Sequence, residues 1–180
     1  MKKSFFALLI GLLLVTSVFA DHTGTGIGAI FGGGYNRGIG GHFYPGFSLK
    51  LPSIPIFWGF HSYISGDSFG LGVTGDAYLF EWNMVNKKVT NDDGSYYNVK
   101  IDWYLGMGFI IDMHFWAEHD EGSVSGDLGF RVPFGVSWHV VKKFEAAAGI
   151  APGFGWFGRN KVSDFLFVFP LEVALRFWFT

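Results

Sequence analysis

Cysteine is absent from the 180-residue sequence, which excludes disulfides, thiolate metal sites, cysteine nucleophiles and lipid attachment through an N-terminal cysteine. Charge is scarce too: 16% of residues are Asp, Glu, Lys or Arg, and 13 basic against 15 acidic side chains leave a net charge of -2. So balanced a chain has no basic field with which to hold nucleic acid. After the first twenty positions the longest apolar run, Phe165 to Phe179, is interrupted by Glu172 and Arg176, so no spanning helix is expected. Glycine, with 27 residues, and aromatic side chains, at 20%, are what the chain has in excess. That aromatic content buries enough apolar surface to exclude disorder, and the length suits one domain.

Residues 1–20 read as a cleaved signal peptide. Lys2 and Lys3 open it, Phe5 to Val15 run almost unbroken apolar, and Val18-Phe19-Ala20 ends in the small residue that signal peptidase requires. The run is short of the ~20 residues of a membrane anchor. Residues 21–180 are then an exported domain.

In that domain the hydrophobic period is two, the signature of strands with opposed faces. Leu128, Phe130, Val132, Phe134, Val136, Trp138 and Val140 alternate with Asp127, Gly129, Arg131, Pro133, Gly135, Ser137 and His139. The same rule orders Phe165 to Phe179, Val99 to Phe109 and Phe144 to Trp156. Four shorter candidates cover Ile27 to Phe31, Phe43 to Leu51, Ile56 to Ile64 and Phe69 to about Phe80, the last with Leu71, Val73, Ala77 and Leu79 facing away from Gly70, Gly72, Thr74 and Asp76. That makes about eight strands joined by turns, with 83–98 either a connection or strand ending in a tight turn.

Crowding assigns the faces. The inner surface of a small closed barrel has little room per residue, while the outer surface is roomy. Phe, Trp, Leu and Ile occupy one face and Gly, Ala, Ser and charges the other, so the greasy face looks out, where a bilayer suits it. The expected fold is all-β, a closed antiparallel transmembrane up-and-down β-barrel of about eight strands.

With its leader, its alternating strands, tryptophans near strand ends (Trp58, Trp103, Trp138, Trp156) and its last strand ending Phe177-Trp178-Phe179, the chain resembles the small bacterial outer-membrane β-barrels of the OmpA-barrel, OmpX and OmpW types. The resemblance is architectural and covers residues 21–180. It implies residence in the cell outer membrane, outer-membrane lipid as surroundings, and the barrel-assembly machinery as a partner. Those barrels commonly end on an aromatic residue, whereas this chain places Thr180 after Phe179.

Lys50, Asp76, Lys100, Asp102, Arg131, Glu145, Glu172 and Arg176 all fall on the inner face, in both signs. An eight-stranded interior is just wide enough for its own side chains, so a paired network that fills the lumen is expected, with a proton or ion path or a catalytic set as the alternative. Arg131 and Glu145 flank the turn at 141–143 and are expected to meet. Motifs for chemistry are weak. Gly24 to Gly28 and Gly32 to Gly34 lack the strand-helix setting of a phosphate loop, and His114 to His119 has no helical zinc spacing. Glu118, Asp120 and Glu121 with His119 offer weak ligands to a divalent cation, and a solvated acidic loop is the expected reading. His61 and Ser62 point to opposite faces, and Ser137 and His139 share the lumen face. No enzyme and no cofactor is therefore expected, and the function is a structural or surface-interaction role, with residues 117–126 and 157–164 as outward loops for extracellular ligands. The alternatives are an OmpW-like conduit for small apolar molecules, which needs a gap in the wall or an apolar lumen pocket, and a lipid-modifying enzyme, which needs a Ser-His-acid set facing lipid.

Overall fold

The computed structural model describes residues 24–36, 40–65, 68–90, 92–94, 96–118, 121–141, 143–159 and 162–179. The expected signal peptide, residues 1–20, and Thr180 lie outside the described residues. Ten strands follow in order: β1 (Thr25–Asn36), β2 (Gly40–Lys50), β3 (Phe57–Ser65), β4 (Ser68–Thr90), β5 (Tyr96–Glu118), β6 (Glu121–Arg131), β7 (Phe134–Val141), β8 (Phe144–Ile150), β9 (Gly153–Arg159) and β10 (Val162–Phe179). All pairings are antiparallel between neighbours, and β1 pairs with β10 from Thr25↔Phe179 to Asn36↔Val168. The sheet is thereby closed into a barrel.

The ten strands make eight staves. One half of β5 pairs with β6 and the other with β7, while β10 divides in the same way between β9 and β8. The breaks fall at Pro133 and Pro152, whose backbones have no N–H to give to a ladder. Their carbonyls still accept, from Gly106 N at 2.8 Å and Val132 N at 2.9 Å, and Ala151 N donates to Pro170 O at 3.1 Å. Three neighbouring staves thus carry prolines near one height without opening the wall.

Of the two readings of 83–98, the structure takes the one in which the strands extend into it. Residues 83–90 and 96–98 are strand, and in the turn at 92–94 Gly94 takes φ +80°. The β4–β5 hairpin outruns β3, whose last pair is Phe57↔Asp76, and projects at the end of the barrel that carries the two terminal strand ends. Residues 117–126 and 157–164, expected as loops, are corrected to hairpins: Trp116↔Ser123, Glu118↔Glu121, Asp164↔Phe157 and Arg159↔Val162 all pair. Backbone pairing supplies there the hydrogen bonds that a loop would have sought from water.

A second correction concerns β4. A bulge between Tyr78 and Phe80 inserts one residue, which reverses the alternation beyond it. Ala77 and Tyr78 are both buried, and Phe80 and Trp82, stacked at 5.6 Å, face outward. Elsewhere the expected faces hold. Leu128 (55% exposed), Phe154 (52%) and Leu171 (61%) look out, and each stands one position from a buried neighbour.

Candidate functional site

The inner faces of the staves converge on a polar lumen, and glycines on the intervening strands give the side chains room to meet. A Cβ at Gly32 would lie 2.1 Å from the ring of Tyr44, and one at Gly72 would lie 1.9 Å from Asp112 Oδ1 and 2.2 Å from His61 Nε2. Contacts therefore form between strands that are not themselves adjacent. They fall in three tiers along the barrel axis.

Nearest the chain ends, Arg176 on β10 donates to Glu145 Oε1 on β8 at 2.8 Å and to Ser48 Oγ on β2 at 2.9 Å. Trp178 Nε1 donates to Glu145 Oε2 at 2.8 Å. The guanidinium lies 4.6 Å from the centroid of the Phe57 ring, which stacks on Tyr78 at 4.2 Å, and Tyr78 stacks in turn on Tyr104 at 4.2 Å. Lys50 is buried beside them and donates to the Leu51 carbonyl at 2.7 Å.

In the middle tier Arg131, 1% exposed, is clasped by two carboxylates. Its Nε lies 3.0 Å from Asp76 Oδ1, and its two terminal nitrogens bind both oxygens of Glu172, with Nη1 to Oε1 at 2.9 Å. Tyr44 donates to the same Glu172. This fork is the geometry in which guanidinium and carboxylate bind most strongly.

Towards the opposite end, where β5 leads into β6, His61 Nε2 lies 3.0 Å from Asp112 Oδ1, His114 Nε2 lies 3.0 Å from Asp127 Oδ2, and the Tyr63 hydroxyl contacts His114 Nδ1. The five residues are all buried. Tyr44 links this tier to the one below, since its ring lies 4.6 Å from that of His61.

All eight charges expected in the lumen are on the inner face, but not all share one network. Lys100 and Asp102 pair with each other at 3.3 Å towards the β4–β5 hairpin, where Lys100 is half-buried and Asn83 Nδ2 donates to Asp102 at 2.9 Å. The expected meeting of Arg131 and Glu145 is corrected. Arg131 sits at the end of β6, opposite Gly108 and Gly153, and Glu145 sits on β8 opposite His139 and Arg176, so the two belong to different tiers. His61 faces the lumen and Ser62 the outside, and Ser137 is buried on the lumen side. The glycines of 25–34 lie in β1, and the side chains of Glu118, His119, Asp120 and Glu121 lie outside the described residues.

The sequence reading missed His61, Tyr63, Asp112, His114 and Asp127 as a group. Inner parity carried on from Lys100 reaches Asp112 and His114, but Phe109-Ile110-Ile111 masks the alternation because Ile110 is itself buried inside.

The void lined by Ile30, Asp76, Tyr78, Tyr104, Glu172 and Arg176 holds about 20 Å³, space for roughly one water.

No protein-family model and no curated protein sequence matches the chain. Solved structures do. The crystal structure of Neisserial surface protein A (NspA) is similar over 86% of this chain and 97% of its own, with 14% identity and a TM-score of 0.58. The N-terminal β-barrel domain of Pseudomonas aeruginosa OprF is similar over 87% and 98%, with 12% identity and a TM-score of 0.57. The fold is therefore that of the small outer-membrane β-barrels.

Proposed function

We propose that the chain is an integral outer-membrane β-barrel with a structural or surface-interaction role, its lumen plugged by its own side chains. The observation that carries this reading is the inversion of the faces. Phe43 (61% exposed), Leu128, Phe154, Phe165 and Leu171 look outward, while Arg131, Glu145 and Arg176 are sealed within. In water a belt of exposed apolar side chains on every stave far exceeds the few hundred Å² that soluble monomers tolerate. In hydrocarbon the belt is solvated, and ring closure leaves no unpaired strand edge within it. The likeness to two outer-membrane barrels supports the same location, and the basic start, apolar run and Ala20 of the leader support export.

Lining by Asp76, Glu172 and Arg176 around a void of about 20 Å³ favours a plug over a conduit for apolar molecules. Ser137 is enclosed on the lumen side, which favours a non-enzymatic role. The hairpins at 117–126 and 157–164 offer the surface for extracellular ligands, and the final Phe177-Trp178-Phe179 is the segment offered to the barrel-assembly machinery.

The test is extraction and conductance. The full chain, expressed with its leader, should stay in the outer-membrane fraction through alkaline carbonate and need detergent to dissolve. In planar bilayers the purified barrel should give currents near background. A stable protein soluble without detergent would overturn the membrane reading, and clear single-channel currents abolished by Arg131→Ala would replace the plug with a conduction path.

A further inference from the structure

Of the three lumen tiers, the one farthest from the chain termini brings histidines to its carboxylates. The other two neutralise carboxylates with guanidinium groups. His61 pairs with Asp112 and His114 with Asp127, and the two carboxylates are partners in the β5–β6 register, directly opposite one another on the inner face. Like charges so placed repel, and burial removes the water that would screen them. A small divalent cation between them would resolve both problems.

We infer that Asp112, His114 and Asp127 form a binding site for a divalent first-row transition ion such as Zn²⁺. One carboxylate oxygen from each Asp and one imidazole nitrogen of His114 lie within 4.8 Å of one another. His114 Nε2 and Asp127 Oδ2, at 3.0 Å, are close to the about 3.3 Å that separates two ligand atoms of a tetrahedral zinc. Mixed nitrogen and oxygen ligands favour such an ion over Ca²⁺ or Mg²⁺, which take oxygen alone.

The surroundings are those of a built site. Tyr63 contacts His114 Nδ1, so the ring can give that N–H to the phenol oxygen and keep Nε2 as a ligand atom. His61 holds Asp112 at Oδ1 from the opposite side. Both are the outer hydrogen bonds that orient metal ligands. The strand between these pairs, β4, presents glycine to the cluster at Gly70 and Gly72; a Cβ at Gly70 would fall 2.1 Å from the Tyr63 ring, and one at Gly72 within 2.2 Å of both His61 and Asp112. An ion has a short way in, since His114 lies four residues from Glu118 at the end of β5, roughly 13 Å along the strand.

The site requires only the folded lumen and is independent of where the barrel resides. The test uses the full chain, refolded in detergent, stripped with chelator and titrated with Zn²⁺ alone, then with Co²⁺ as a spectroscopic stand-in. Wild type should bind one ion per chain, show Co²⁺ d–d bands of low-symmetry coordination and melt at a higher temperature with metal. Asp127→Asn, which keeps the side-chain shape, should weaken binding by at least about tenfold. His114→Gln should abolish the bands.

If either variant fails to fold, Tyr63→Phe supplies the reading: it leaves every ligand atom in place and should lower affinity while preserving stoichiometry. A plain hydrogen-bonded network predicts instead that Asp127→Asn shifts stability equally with and without metal. That outcome, absence of stoichiometric binding by wild type, or Zn²⁺ binding unchanged in His114→Gln would each overturn the site.

Discussion

Replacing Arg131 by Met tests the plug at its centre. The guanidinium is 1% exposed and answers two carboxylates, Asp76 and Glu172. Methionine keeps the length and apolar stem but leaves both acids in the barrel interior without their cation. Stranding one buried charge costs about 3–5 kcal/mol. Part of that penalty will be relieved by proton uptake, so a loss of about 3–5 kcal/mol is expected for the pair together. The triple replacement Asp76→Asn, Arg131→Met, Glu172→Gln removes every charge of the tier at once and should be at least about 2 kcal/mol more stable than Arg131→Met alone, because no uncompensated charge remains. Urea unfolding of the barrel refolded into vesicles, followed by tryptophan fluorescence, gives both values. A loss below about 1 kcal/mol for Arg131→Met, or a triple variant no better than the single one, would refute the claim that paired charges hold the lumen together.

Other predictions follow from the same geometry. A double-mutant cycle between Arg176 and Glu145, 2.8 Å apart, should show a coupling of about 0.5–3 kcal/mol, whereas the Arg131 and Glu145 cycle should close to within about 0.5 kcal/mol; comparable couplings would contradict the tiers. Phe134→Arg, on the outward face, should cost about 2–4 kcal/mol in vesicles, and Ile64→Arg, one position from the end of β3, only about 0–1 kcal/mol; the reverse order would misplace the hydrocarbon belt. Gly28→Ala would bring a Cβ to 1.8 Å from the Leu175 carbonyl across the closing pair of strands, so a loss of about 1–3 kcal/mol in urea unfolding is expected; a neutral result would mean that the β1–β10 seam is looser than drawn.

The sequence carries its large-scale message through repetition. The Leu128 to Val140 and Phe165 to Phe179 stretches each repeat one alternation many times, so face, strand and barrel interior are legible without coordinates. It carries less wherever one residue breaks the count. At Tyr78 and Phe80 a single bulge exchanges inside for outside, and no local composition marks it. Pairing across the lumen is harder still. That Arg131 meets Asp76 and Glu172 rather than Glu145 depends on strand stagger, which sets heights along the axis and is a property of the closed ring. The histidine tier was hidden for a related reason: His61, Asp112 and Asp127 lie far apart in the chain and come together only through the β3–β4–β5–β6 register, across the slot left by Gly72.

The seam between β1 and β10 also fixes the order of events when the chain folds. Each other junction along the ring joins segments close in sequence, or segments a hairpin apart, and can form as soon as its residues exist. The seam joins Thr25 to Phe179 and Asn36 to Val168, so it closes residues 25–179 into one loop and carries the largest closure entropy of the strand pairings among the described residues. The strand that must be fixed in this step contains Gly26, Gly28, Gly32, Gly33 and Gly34, the residues that lose most freedom on ordering. Ring closure is thus the pairing with the greatest entropic cost, and until it is complete two long backbone edges stay unpaired, β1 on one side and β10 on the other, ready to pair with another chain.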